Sequence, residues 1–269
     1  MVNSGYKNRT TKAGWLLVCC CALLLVSCKS ASRHMQQVVE KNLKGSWVCS
    51  NVLDKVACTK SIKSLKDFPP YTELIFLQDS SKLIALNGQV DMVALSYTSN
   101  GDALQVPDFY GNGVAHISMA GDSVLLFNDG FSAETWRYTK APADMTAAES
   151  GDVPEVFPSL LNCALIAGEY TVRNTGNPYH LVFRSNGYIF NSPDFTRYSL
   201  CYNGNCNILS SENLVYLSNG QQGDYYGWKV QDGTLTIYSL AVANMSDGMM
   251  EYEINRPVLV MEKNADDRY

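Results

Sequence analysis

The chain has little with which to do chemistry. Its 269 residues hold three histidines, His34, His116 and His180, far apart and in different predicted elements. No HExxH, CxxC, GxSxG, Walker or GxGxxG pattern occurs, so zinc, acyl-transfer and nucleotide sites lack their usual spacing. The acidic residues are scattered and offer no general acid–base pair. Basic blocks are absent and the formal net charge is −5, which removes the electrostatic footprint of nucleic-acid binding. Asp108-Phe109-Tyr110-Gly111-Asn112-Gly113 starts like a calcium loop, but Met119 stands at its twelfth position where a bidentate Glu is needed, so it reads as a plain turn. These absences predict a protein that is not an enzyme and carries no cofactor or metal. Long apolar runs are scarce too. The clearest, Ala13 to Val26, is 14 residues and falls short of the roughly 20 that cross a bilayer.

What the chain does have begins with that run. Lys7, Arg9 and Lys12 precede it and no acidic residue occurs before Cys28, which is the charge pattern of an export leader. Leu25-Val26-Ser27-Cys28 resembles the bacterial lipobox. The resemblance implies cleavage before Cys28, a diacylglycerol thioether on it and acylation of its new amino group. Residues 1–27 are then a lipoprotein signal peptide and 28–33 a lipidated tether. Several acyl chains together anchor firmly where one alone binds reversibly. Lys29 follows the cysteine, with no Asp there and no acidic run. By family analogy this implies an outer-membrane lipoprotein facing the periplasm. Losing the leader takes the basic count from 21 to 18 against 26 acids, a mature formal charge of −8.

Cys19, Cys20 and Cys21 leave with the leader, and five cysteines remain besides Cys28. Export permits disulfides. Cys201 and Cys206 bracket the turn sequence Tyr202-Asn203-Gly204-Asn205 and are candidates for one bridge. Cys49 and Cys58 are candidates for a second across a hairpin. Cys163 reads as a buried small apolar residue.

Along the chain, Met35, Val38, Val39 and Leu43 have helical spacing, predicting a short amphipathic helix over His34–Leu43. From Trp47 the pattern turns to strands, with apolar or alternating runs at Tyr71–Leu77, Lys82–Leu86, Met92–Tyr97, Val114–Met119, Ser123–Phe127 and Glu134–Lys140, separated by tight turns. This predicts a first β domain over 34–141. Residues 142–157, with Pro142, Pro154 and four acids, read as a linker. A second domain over 158–264 repeats the first. Pro158–Ile166 offers a helix, then Gly168-Glu169-Tyr170 mirrors Gly45-Ser46-Trp47 at an offset of 123. Tyr179–Phe183 echoes Tyr71–Ile75, Trp228–Tyr238 echoes the hairpin from Ile117 to Phe127, and Val258–Lys263 echoes the strand ending at Lys140.

The predicted fold is all-β: two tandem small antiparallel barrels, each preceded by a short helix. The unit resembles the lipocalin-like domains common in lipoproteins of the Bacteroidetes, in which a Gly-x-Trp closes one end of the barrel. Gly45 and Trp47 match that motif, while Gly168 and Tyr170 depart from it by Tyr for Trp. The resemblance implies a structural role for these residues and the capacity of such barrels to hold a small apolar ligand or lipid. A membrane-anchored binder of that kind is the leading expectation. A structural lipoprotein docking onto a larger envelope assembly is the alternative, and a glycan-binding module using Tyr225, Tyr226 or Trp228 comes third. On strand periodicity Trp228 is expected to face a core.

Overall fold

The computed structural model describes residues 43–264, except 78–79, 89–91, 101–102, 110, 112, 146–155 and 247–248. The leader, Cys28 and the tether lie outside the described residues. So does the helix expected over His34–Leu43, apart from Leu43 itself, which is helical and buried.

The first half comprises β1 (Gly45–Cys49), α1 (Ser50–Thr59), β2 (Glu73–Phe76), β3 (Lys82–Leu86), β4 (Met92–Ser96), β5 (Thr98–Asn100), β6 (Ala103–Phe109), β7 (Gly113–Met119), β8 (Val124–Asn128) and β9 (Trp136–Lys140). Each strand pairs antiparallel with its sequence neighbour, and β1 pairs with β9 to close the circle, leaving a single break between β4 and β5. Period-two alternation sets the inward face. In β7, Ala115 and Ile117 are buried while Val114 and His116 are exposed; in β9, Trp136 and Tyr138 are buried around exposed Arg137.

The second half repeats the plan with α2 (Val156–Leu165), β10 (Gly168–Val172), β11 (Tyr179–Phe183), β12 (Ile189–Phe190), β13 (Arg197–Leu200), β14 (Leu209–Ser210), β15 (Leu214–Ser218), β16 (Gly223–Gln231), β17 (Thr234–Ser246) and β18 (Met249–Lys263). Here β10 pairs with β18 to close the circle and the break falls between β12 and β13, spanned by a single bridge from Tyr188 to Arg197. β14 lies off this path and pairs parallel with β18. The protein is therefore all-β, built as two tandem, nearly closed antiparallel barrels. Among the described residues no helix is long and apolar enough to cross a membrane.

Several expectations need correction. Residues after Trp47 do not run on as strands. β1 passes directly into α1, in which Val52 and Val56, one turn apart, are buried against the barrel and Lys60 ends the helix in the left-handed region. This helix holds Cys49 just before its start and Cys58 near its end, so no hairpin brings them together; both are free thiols, Cys49 buried and Cys58 exposed. Cys163 is exposed on α2 rather than buried. The segment 142–157 ends inside α2, where Val156 and Phe157 are buried. The Tyr179–Phe183 echo slips by one residue: Trp47 pairs with Leu74 and Tyr170 with Leu181, so Leu181 corresponds to Leu74.

Candidate functional site

The Gly-x-aromatic segments open each barrel in the same way. Trp47 is fully buried and its indole Nε1 donates to the Leu43 carbonyl, four residues upstream, at 2.7 Å. Tyr170 is buried and its hydroxyl donates to the Ile166 carbonyl, also four residues upstream, at 2.7 Å. Each aromatic thus places its apolar body in the barrel and its polar tip on the end of the preceding chain. The closing strand brings a lysine across the motif in both copies. Trp47 pairs with Lys140, whose ammonium lies 5.7 Å from the indole ring centre, and Tyr170 pairs with Lys263. A Cβ on Gly168 would stand 2.7 Å from the Lys263 Cε, so glycine is the residue that lets this lysine cross.

Among the described residues, buried aromatic side chains pack into both barrel interiors. In the first, Tyr71, Phe109, Phe127 and Tyr138 meet edge to face at centroid distances of 5.6 to 6.5 Å, and the Tyr138 hydroxyl donates to the Tyr71 carbonyl at 2.6 Å. In the second, Phe183 lies between Tyr170 and Tyr198 at 5.8 and 5.2 Å, and fully buried Trp228 donates to the Leu214 carbonyl at 3.1 Å. Burial holds the Tyr198 hydroxyl far above the usual phenol range, so it stays protonated.

Where the barrels meet, sequence reading missed the principal residue. Glu73 stands on the outer face of β2 between inward-facing neighbours, and it is fully buried because α2 covers it. Its Oε2 accepts from the backbone N–H groups of Val156 at 2.8 Å and Phe157 at 3.0 Å, while Oε1 accepts from the Ser46 hydroxyl. The next residue of α2 is Pro158, which has no N–H to satisfy. A carboxylate of one barrel therefore caps the helix that opens the other, with the favourable sign for a helix N-terminus. A charge in the middle of the apolar run Tyr71–Leu77 was the available signal.

Two further loops complete the joint. Buried Asn213, just before β15, accepts through Oδ1 from the Ile62 and Lys63 N–H groups at 2.9 and 3.0 Å and from the Ser61 hydroxyl at 3.1 Å. The Cys201–Cys206 disulfide closes the loop that carries Tyr202 and Asn203. Tyr202 packs against Phe68 and Phe157 at 6.3 and 5.6 Å, and Asn203 donates to the Asn87 carbonyl at 2.6 Å. A cleft of about 420 Å³ beside this loop is lined without any charged residue, by groups such as Ser159, Asn162 and Ser199.

The remaining candidates are quickly placed. Tyr225 and Tyr226 lie half-buried on β16, Tyr225 against Tyr216 at 5.2 Å and Tyr226 against Phe195 at 5.6 Å. Together with core-facing Trp228 they form no exposed platform. Burial, then Asp224 and Asp194, push the Tyr226 hydroxyl up. Cys49 has its thiol pushed up to about 12 by burial, against the lowering pull of the Val52 and Asn51 N–H groups, which makes it inert. Of the calcium-loop-like segment, Asp108 and Phe109 end β6, Gly113 begins β7, and the Gly111 N–H donates to the Asp108 carbonyl at 2.9 Å.

Among the described residues, exposed apolar side chains also gather on the β17–β18 hairpin. β16 pairs with β17 only from Thr234 to Tyr238, whereas β17 continues to Ser246 paired with β18 alone. Val242, Met245 and Met250 on this extension are 50, 66 and 47% exposed. Comparison with protein-family models, curated proteins and solved structures finds no match to this chain.

Proposed function

We propose that this chain is a non-enzymatic envelope lipoprotein, tethered to the outer membrane through Cys28 and facing the periplasm, that serves as a structural element docking onto a larger envelope assembly. The observation that carries this reading is the filling of both barrels. Trp47, Phe109, Phe127, Tyr138, Phe183 and Trp228 are all at most 2% exposed and occupy the interior that a small apolar ligand would need. The joint adds support. A buried carboxylate, an asparagine with three donors on one oxygen and a disulfide-closed aromatic loop hold the two barrels in one relative placement. Such fixing suits a part that presents surfaces at set positions.

Native mass spectrometry on residues 29–269, purified from the periplasm without detergent, tests this. A bare polypeptide mass is expected. A retained organic mass that solvent extraction releases would return the protein to the carrier class. The anchor is tested separately: palmitate label is expected on the parent chain and absent from Cys28→Ala, and membrane partitioning of that variant would refute it.

A further inference from the structure

The hairpin extension has two unlike faces and one open edge. From Ser239 to Ser246, β17 pairs with β18 on one side and with no strand among the described residues on the other. Its backbone N–H and C=O groups along that edge are the hydrogen-bonding row that an added strand uses. Pairing places Leu240 opposite Ile254, Val242 opposite Tyr252 and Met245 opposite Met250, so one face is apolar apart from the Tyr252 hydroxyl. The base of this face is anchored at Gly227, where a Cβ would lie 2.4 Å from the Ile254 side chain; the outer part is exposed. Methionine there makes the surface adaptable to a partner's side chains.

The opposite face is acidic. Glu253 pairs with Ala241 and Glu251 with Asn244, both glutamates are exposed, and neither forms an ion pair among the described residues. β17 itself carries no charged residue from Thr234 to Ser246. On this side of β17, Ala241 stands opposite Glu253 and carries only a methyl group.

We infer that the open edge of β17 is a strand-addition site for an extended segment of a protein partner whose side chains alternate between apolar and basic. This rests on the docking reading above and names its surface. The added strand's apolar side chains cover Val242 and Met245. Its Lys or Arg side chains, on the other face, reach over Ala241 to Glu253 and Glu251, two strand spacings or roughly 10 Å away. A second copy of the chain does not meet this requirement, because two β17 edges would bring only acids to that face. The same acids disfavour an anionic lipid surface.

The test is fluorescence anisotropy with the full mature chain and labelled nine-residue peptides alternating valine with lysine, or valine with glutamate. The valine–lysine peptide is expected to bind and the valine–glutamate peptide to bind at least tenfold more weakly. The double variant Glu251→Lys, Glu253→Lys should reverse that order, and Val242→Lys should weaken both. These positions are exposed, so the variants should fold, which circular dichroism checks. Equal binding of the two peptides, or binding of neither, overturns the proposal. A dimer by native mass spectrometry that Val242→Lys dissolves gives the edge to a second copy and also overturns it. So does retention of the Cys28→Ala chain on neutral phosphatidylcholine vesicles that Met245→Lys abolishes. A ligand mass released from the barrels bears on the docking reading alone and leaves the edge result independent.

Discussion

Trp47 and Tyr170 occupy the same station in the two barrels, and each donates its one polar hydrogen to the carbonyl four residues before it. The chemistry of the tip differs, indole nitrogen against phenol oxygen, but the bond is 2.7 Å in both and the acceptor ends the preceding chain in both. The substitution of Tyr for Trp in the second copy therefore keeps the function of the position, which is to plug the barrel and tie down its entry.

Tyr170→Phe keeps the ring and deletes the donor. It leaves the Ile166 carbonyl without that partner and is expected to lower stability by about 1–2 kcal/mol. Trp47→Phe removes both donor and volume and should cost more, about 3 kcal/mol or above. Urea unfolding monitored by circular dichroism checks the order; a Tyr170→Phe chain as stable as its parent would contradict the assignment.

Thiol labelling separates the cysteines. In the native chain at pH 8, Cys58 and Cys163 should react readily with iodoacetamide, because both are exposed. Cys49, with its thiol pushed up to about 12, should react only on unfolding, and Cys201 and Cys206 only after reduction. Rapid native labelling of Cys49 would show that β1 does not end in the buried position described.

How much of this was readable beforehand differs by element. The late hairpin strands were legible because β7, β8 and β9 alternate and are bounded by turn residues. The repeat was legible through Gly-x-aromatic and the two closing lysines. α1 was not, since its ten residues bury only Ser50, Val52 and Val56, and the short run Trp47–Val56 fits a strand equally well. The Cys49–Cys58 pairing failed with it. The joint was hidden for another reason: the charge of Glu73 inside the apolar run Tyr71–Leu77 marks the residue as unusual, but its partner is a helix that begins 83 residues later, which the local pattern does not name. The length of the β17–β18 extension was masked by the repeat itself, because the first barrel has no counterpart to it.

Asp129 gives a pH signature. Burial pushes its carboxyl up, but the Ser132 and Phe131 N–H groups and the Ser132 hydroxyl together outweigh this and hold it below the ordinary value of 3.8. A depressed folded value means the stabilisation is complete above the unfolded value and is lost as pH falls through the folded one. The stability gap between the parent and Asp129→Ala should thus be constant from pH 7 to about 5 and close below pH 4. A gap that persists unchanged to pH 2 would refute the assignment.

Glu73→Gln tests the joint. An amide keeps the shape but removes the negative charge at the α2 N-terminus, weakens the two bonds from the Val156 and Phe157 N–H groups, and forces the Ser46 hydroxyl to turn from donor to acceptor. The expected cost is about 2–3 kcal/mol. It should fall on the coupling between barrels, seen as broadening or splitting of the unfolding transition; a uniform shift of a still-single transition would place the cost elsewhere.

The most direct measurement is native-state hydrogen exchange on the parent protein, comparing amides of the β1–β9 pair with those of the β10–β18 pair across a urea series. Two barrels fixed through Glu73, Asn213 and the Cys201–Cys206 loop should open together, with protection in both pairs converging on one global free energy and one denaturant slope. Separate free energies with separate slopes, as for independent domains on a string, would contradict the single body on which the proposed docking role rests.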